Sequence, residues 1–276
     1  MRIRIRHVTR SVYDKPARSG VLSLRLTPPS FEGQSVVKWA IRAPGIERAA
    51  TFRDGFGNLG HLISIVHEHS ELIVEAEGIV ETSDRDGIVR GLRDVAPVRV
   101  FLRETGLTAP DGSIRSLARE TKADDGVAGL HRLMHVVGDR IEYTVDQTDS
   151  DTTAADALSR GHGVCQDHAH VFISAARAVG VPARYVCGYM IAGDDQPAEA
   201  HHGWAEAWID GIGWIGFDPT NRICPTDRYV RLGTGLDAAS AAPIRGSRQG
   251  GSGETLDVDV DVEVESAIDS QSQSQQ

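Results

Sequence analysis

The hydrophobic period of this chain changes once along its length, and that change limits the possible folds more than any other feature. Up to Pro97, apolar residues recur at every second position. Ile3 and Ile5 alternate with arginines in MRIRIRHVTR, Leu22, Leu24 and Leu26 alternate in VLSLRLTPP, and Val37, Trp39 and Ile41 alternate in VVKWAI. A period of two puts each set on one face of a sheet. Asp14 to Pro16, Ala43-Pro44-Gly45, Asp54-Gly55 and Gly57-Asn58 read as the turns between strands. Residues 1–97 are therefore expected to form an all-β module, a sandwich or an open barrel.

Beyond Val98 the period lengthens. A short helical stretch is expected around Val98–Arg103, followed by a loop at Pro110-Asp111-Gly112. In GVAGLHRLMHVVGDRI the apolar residues Leu130, Leu133, Met134 and Val137 fit one face of a helix. DTTAADALSRG reads as a short helix, with Asp151 or Thr152 as N-cap and Gly161 just past its end. Cys165, Ala169, Phe172, Ala176 and Val179 form one helical stripe, which Gly180 and Pro182 stop. Three strands follow: ARYVCGYM, HHGWAEAWID and WIGFDPT, the last two joined by Gly211-Ile212-Gly213. Helices first and antiparallel strands after predict an α+β core over 98–244.

Residues 245–276 differ in composition. They run from a Gly/Ser-rich stretch through DVDVDVEVE to SQSQSQQ, with no turn after the alternating valines. The expectation is an acidic, low-complexity, disordered tail. It carries much of the charge. The whole chain of 276 residues has 29 basic and 39 acidic side chains and a net charge of −10, of which 246–276 holds seven acids against Arg248 alone. That balance argues against nucleic acid as a partner, since such proteins present basic faces. No stretch approaches the roughly 20 apolar residues that cross a bilayer. The basic N-terminus lacks the apolar core of a secretory signal. A cytoplasmic location, with no membrane partner, is the expectation. Three cysteines do not make a disulfide framework.

Cys165 is the centre of the chemistry. It falls in the first turn of its helix, after GHG, where the partial positive charge of the helix end favours a thiolate and the first N–H groups are open to an oxyanion. A cysteine nucleophile needs a base and a group that orients the base. His202 stands at the start of a strand and Asp218 at the end of the next. The short GIG turn makes these strands antiparallel neighbours, so the two ends can meet. Taken alone, Cys165 reads more readily as a small buried residue, and Asp218 as a hairpin-end acid. His201 beside His202 leaves two candidates for the base, with the spacing to Trp204 favouring His202.

These residues lie in a set of motifs: DTTAADAL from Asp151, GVCQDHAH from Gly163, PARYVCGY from Pro182, HGWAEAW from His202 and GWIGFDPTN from Gly213. Before them come HVTRSVYDKP from His7 and DGFGN from Asp54. Together they resemble the bacterial transglutaminase-like proteins over residues 1–235, including the β leader of that family. The resemblance implies a papain-like core with a Cys-His-Asp triad: Cys165 as nucleophile, His202 as base, Asp218 as its orienter. It implies acyl transfer through a thioester, resolved by an amine or by water, on a protein or peptide bearing a carboxamide or peptide bond. Neither metal nor cofactor is implied. The chain departs from the family pattern at His168, where an aromatic is usual, at Gly203, where alanine is usual, and at His201, where a small residue is usual. Gln166 or Trp204 is expected near the oxyanion. Asp167 is expected to anchor the helix start, Tyr143 and Tyr185 to line the core or a cleft, and Cys187 and Cys224 to be structural.

Two other classes compete. His162, Cys165, His168 and His170 lie close in sequence, with His201 and His202 beyond, and a zinc module would need four of them to converge. His67 and His69 share a strand face and pose the same question. The third reading is a scaffold that keeps the fold without activity.

Overall fold

The computed structural model describes residues 1–93, 95–191 and 201–265. It is a mixed α+β structure, rich in strands. The leader contains β1 (Arg2–Leu24), β2 (Gln34–Arg42), β3 (Ala50–Arg53), β4 (Leu59–Ile65) and β5 (His69–Thr82). These form one curled sheet in the order β2-β5-β1-β4-β3. β1 explains the curl. Its first half pairs with β5, its last residues pair with β4, and the register shifts between Val12 and Ala17. The alternation in its sequence is the alternation in space: Ile3, Ile5, His7, Ser11 and Tyr13 point inward and are buried, and the arginines point outward.

The core contains β6 (Ile88–Val89), helices α1 (Gly112–Glu120) and α2 (Gly126–Arg140), β7 (Glu142–Tyr143), α3 (Ala154–Arg160), β8 (His162–Gly163) and α4 (Cys165–Ala178). Then come β9 (Ala183–Met190), β10 (His201–Ile209), β11 (Gly213–Phe217), β12 (Tyr229–Gly235) and the single turn α5 (Ala238–Ala241). Its sheet runs β12-β9-β10-β11-β6. The expected amphipathic stripe on α4 understates its burial, because every residue from Asp167 to Arg177 is buried. The sheet covers one side of α4, and α1, α2 and α3 cover the other. Helix α1 went unread in the sequence, and the start of α3 shifts. α1 starts where a loop is expected because Asp111 caps it, accepting from Ile114 N at 2.9 Å. The N-cap of α3 is Thr153, one residue past the two candidates.

The tail requires a correction. Ile244–Val264 is not disordered. It is a strand, β13, paired with β1 along nearly its whole length, from Ile3↔Val264 to Leu24↔Ile244. The partner that DVDVDVEVE lacks nearby lies at the other end of the chain. Arg4, Arg6 and Arg10 stand directly opposite Glu263, Asp261 and Asp257, so the acids that repel one another in isolation meet arginines across the strand. The valines between them, Val260 and Val262, pack against the core. Residues 266–276 lie outside the described residues. The expected boundaries shift accordingly: β13 joins the leader sheet, and Ile88–Val89 of the leader joins the core sheet at β11.

Leader and core are joined by polar contacts. The Asn58 amide donates to Thr234 O at 2.7 Å and accepts from Thr234 N at 2.9 Å. Asp54 holds Asn58 from behind at 2.9 Å, which gives DGFGN a purpose. The Gln34 side chain does the same for β12, bridging Arg231 N and O at 2.7 and 2.9 Å.

Candidate active site

The loop before α4 is fixed by the helix itself. The Asp167 carboxylate accepts from Val164 N at 2.8 Å and from the Thr148 hydroxyl at 2.7 Å, anchoring the helix start as expected. A Cβ on Gly163 would lie 2.6 Å from Asp167 Oδ2, so the residue there must be glycine. His168 turns its Nδ1 to Val164 O and its Nε2 to Ile141 O, both at 2.9 Å. Cys165 therefore occupies the first helical position on a loop tied at three points, and it is nearly buried.

His202 and Asp218 come from the hairpin. Ala205 pairs with Phe217. Continuing that register by one residue puts Asp218 opposite Trp204, on the face that also carries His202. The contact forms: His202 Nε2 and Asp218 Oδ2 are 2.7 Å apart. Asp218 Oδ2 also accepts from Asn221 Nδ2 and from the Tyr229 hydroxyl, each at 2.7 Å, and Oδ1 accepts from Thr220 N at 3.0 Å. Trp204 stacks on the His202 ring at 6.3 Å and 22°, shielding the pair from water. Asn221 and Tyr229 were not visible in the sequence as partners. Asn221 had one signal, an amide in the turn just after Pro219. Tyr229 had none.

The electrostatics follow from this packing. Burial alone would keep His202 neutral. The Asp218 carboxylate and a hydrogen bond and opposite charge at Cys165 outweigh it and push the imidazole well above its usual range. With Nε2 given to Asp218, the nitrogen left for Cys165 is Nδ1. Burial would likewise raise Asp218, but the His202 charge and the donors of His202, Asn221 and Tyr229 hold it below the usual carboxylate range. Two other thiols, Cys187 and Cys224, are free. Burial pushes Cys187 up to about 11, and its sulfur donates to Ala241 O at 3.1 Å. Burial and the nearby Asp86 and Asp84 push Cys224 up to about 11 as well.

Tyr185 explains one departure from the family pattern. Its hydroxyl would lie 1.9 Å from a Cβ on residue 203, so the alanine usual after the histidine gives way here to Gly203. The histidines that suggested zinc disperse. Both ring nitrogens of His168 face carbonyls, His170 Nε2 accepts from Ala238 N at 3.0 Å, and His201 turns toward His7, their rings 5.9 Å apart. Among the described residues, no three His, Cys, Asp or Glu side chains are grouped as a metal site. His67 and His69 have rings 6.2 Å apart at the leader surface.

The structure is a mixed α+β core carried behind a curled β leader, and comparison with known proteins relates each part to a family. Residues 115–219 match the transglutaminase-like superfamily model, and residues 3–81 match the bacterial transglutaminase-like N-terminal region. Residues 115–219 thus carry a transglutaminase-like core, and residues 3–81 the N-terminal domain of the bacterial transglutaminase-like proteins. It is 28% identical over 272 residues to an uncharacterized protein of Mycobacterium leprae, covering 93% of this chain and 96% of that one. It is 34% identical over 87 residues to a protein-glutamine gamma-glutamyltransferase of Pseudomonas aeruginosa, covering 29% of this chain and 12% of that protein. The crystal structure of a "Putative Cysteine Protease" from Cytophaga hutchinsonii shares the fold, with a TM-score of 0.75 at 23% identity over 95% of this chain and 90% of that one.

Proposed function

We propose that this protein is a cysteine acyltransferase of the transglutaminase kind, acting on a carboxamide of a protein or peptide. Cys165 is the nucleophile, His202 the proton carrier and Asp218 its orienter. The observation that carries the reading is the 2.7 Å bond from His202 Nε2 to Asp218 Oδ2, which leaves Nδ1 for the sulfur. The Cys165 thiolate attacks the carboxamide carbon. The oxyanion that forms is held by N–H groups of the first turn of α4, which have no partner within the helix. Protonated His202 gives its proton to the departing nitrogen, ammonia leaves, and a thioester remains. A primary amine then attacks the thioester and passes a proton to His202. The amide product departs and the thiolate returns. Water in place of the amine gives the acid, and a peptide bond in place of the carboxamide gives proteolysis.

The 87-residue match to a protein-glutamine gamma-glutamyltransferase supports transfer as the first reading. The test is mass spectrometry of a glutamine peptide incubated with the protein and a primary amine. Transfer adds the amine and removes ammonia. A gain of one mass unit, or cleavage, marks hydrolysis and overturns the transfer reading. Iodoacetamide at near-neutral pH should label Cys165 first. Preferential labelling of Cys187 or Cys224 would overturn the assignment of the nucleophile.

A further inference from the structure

Asp218 takes most of its hydrogen bonds from its own turn. Thr220 N and Asn221 N donate to Oδ1 at 3.0 and 3.3 Å, and Asn221 Nδ2 donates to Oδ2 at 2.7 Å. These donors lie two and three residues along the chain, so they settle the carboxylate within the turn and do not hold it toward β10. Among the described residues, one donor besides His202 reaches Asp218 from another element. It is the Tyr229 hydroxyl, 2.7 Å from Oδ2. The Tyr229 ring is buried, stands edge-on to Trp204 at 5.5 Å and 83°, and lies 5.9 Å from the His202 ring. Tyr229 thus meets both members of the buried pair and the indole that covers them.

Tyr229 opens β12, the outermost strand of the core sheet. The ladder of β12 with β9 is broken by a register shift between Arg231 and Gly233. A short edge strand with such an irregularity is weakly fixed by one neighbour. The leader holds it from the other side. The Thr82 hydroxyl donates to Asp227 O. The buried Gln34 side chain accepts from Arg231 N at 2.7 Å and donates to Arg231 O at 2.9 Å, and Pro29 O accepts from the same amide at 2.7 Å. Asn58 makes the matching pair of bonds to Thr234. Each of these two amides meets both the N–H and the C=O of one residue, as an adjacent strand would. They do so on either side of the irregularity, and Tyr229 lies between the Thr82 and Gln34 contacts.

We propose that the leader positions the catalytic carboxylate through this chain of contacts: Gln34 fixes β12, β12 fixes Tyr229, and Tyr229 holds Asp218 toward His202. Gln34 and Tyr229 are positioning residues, because they act through Asp218 and not on the reacting atoms. The relay rests on Cys165, His202 and Asp218 working as read above. It gives the leader a part in chemistry that is carried out in the core.

Steady-state amine incorporation into a glutamine peptide tests the relay, with the full chain and three variants. Tyr229→Phe keeps the ring and removes the hydroxyl. It should lower kcat about tenfold with KM unchanged, because the imidazole is less often held in its working orientation. Gln34→Met keeps the volume and removes the amide. It should lower kcat about fivefold, again with KM unchanged. The double variant should be no slower than Tyr229→Phe alone, because both changes cut one relay. Thermal melting shows which variants are folded. Should Gln34→Met fail to fold, Gln34→Glu, which keeps the acceptor for Arg231 N, takes its place. Full kcat in Tyr229→Phe, or losses that multiply in the double variant, overturns the proposal. A chain inactive before any substitution overturns the acyl-transfer reading instead, and proton NMR then reads the relay without turnover. The low-field proton between His202 Nε2 and Asp218, absent in Asp218→Asn, should shift in both Tyr229→Phe and Gln34→Met, and an unmoved resonance overturns the relay.

Discussion

Arg6 on β1 and Arg184 on β9 both pair with glutamates, at 2.9 Å to Glu75 and 2.6 Å to Glu206, yet the two pairs sit in different solvents. Arg6 belongs to an exposed ladder in which the arginines of β1 meet acids of β5 on one side and β13 on the other, as in Arg10 with Glu71 at 2.5 Å and Arg6 with Asp259 at 3.8 Å. Arg184 and Glu206 are fully buried, with Arg231 on the same carboxylate at 3.2 Å and the Trp214 ring 3.9 Å from the Arg184 guanidinium. His202 and Asp218 share that second environment. Water makes each rung of the ladder cheap and replaceable, so its worth lies in setting register. Without water, removing one member strands the other.

Four experiments probe that contrast, beginning with the largest effect. Asp218→Asn should cut amine incorporation on the order of 10⁴-fold, because the imidazole loses the acceptor that fixes its tautomer. A Cys165 labelling rate that survives this change would break the link between buried pair and chemistry. Glu206→Gln should cost about 3–5 kcal/mol in urea unfolding, the usual cost of breaking a buried ion group. A cost below 1 kcal/mol would place Glu206 with the surface pairs. Acid should separate the regions next. His7, His170 and His201 are lowered from 6.5 to about 4 mainly by burial. Between those values the unfolded chain binds protons that the folded chain refuses. Stability must therefore fall as pH drops from about 6.5 to about 4, by on the order of 2 kcal/mol per histidine. His7→Phe should flatten that slope in pH-resolved melting. Asp261→Asn, on the ladder, should change stability by less than about 1 kcal/mol, and the change should vanish in high salt.

The same contrast separates what was readable in the chain from what was not. Helices α2 and α4 and the strands β9, β10 and β11 carry their partners nearby or a pattern strong enough to stand alone. The place of Cys165 at a helix head and the meeting of His202 with Asp218 were legible because a strand start and a strand end joined by a three-residue turn face one another. β12 was missed because YVRLGTG has no clean alternation; it is buried on both faces between β9 and the leader. β13 was misread because charge patterning has meaning only with its complement, and the complement is MRIRIR, more than two hundred residues away. Tyr229 reaches Asp218 through the pairing of that unread strand β12 with β9, where it stands opposite Met190.

The pairing of Ile3 with Val264 also sets an order of events. β1 keeps one edge bare until β13, more than two hundred residues further along the chain, emerges from the ribosome. Until then the arginine-studded edge of β1 is open to any extended acidic segment it meets. Closing that edge demands a contact between distant parts of the chain, the slow kind in folding. The glycine-rich first half of β13 therefore serves as a late clasp on a molecule whose core sheet is already spun out.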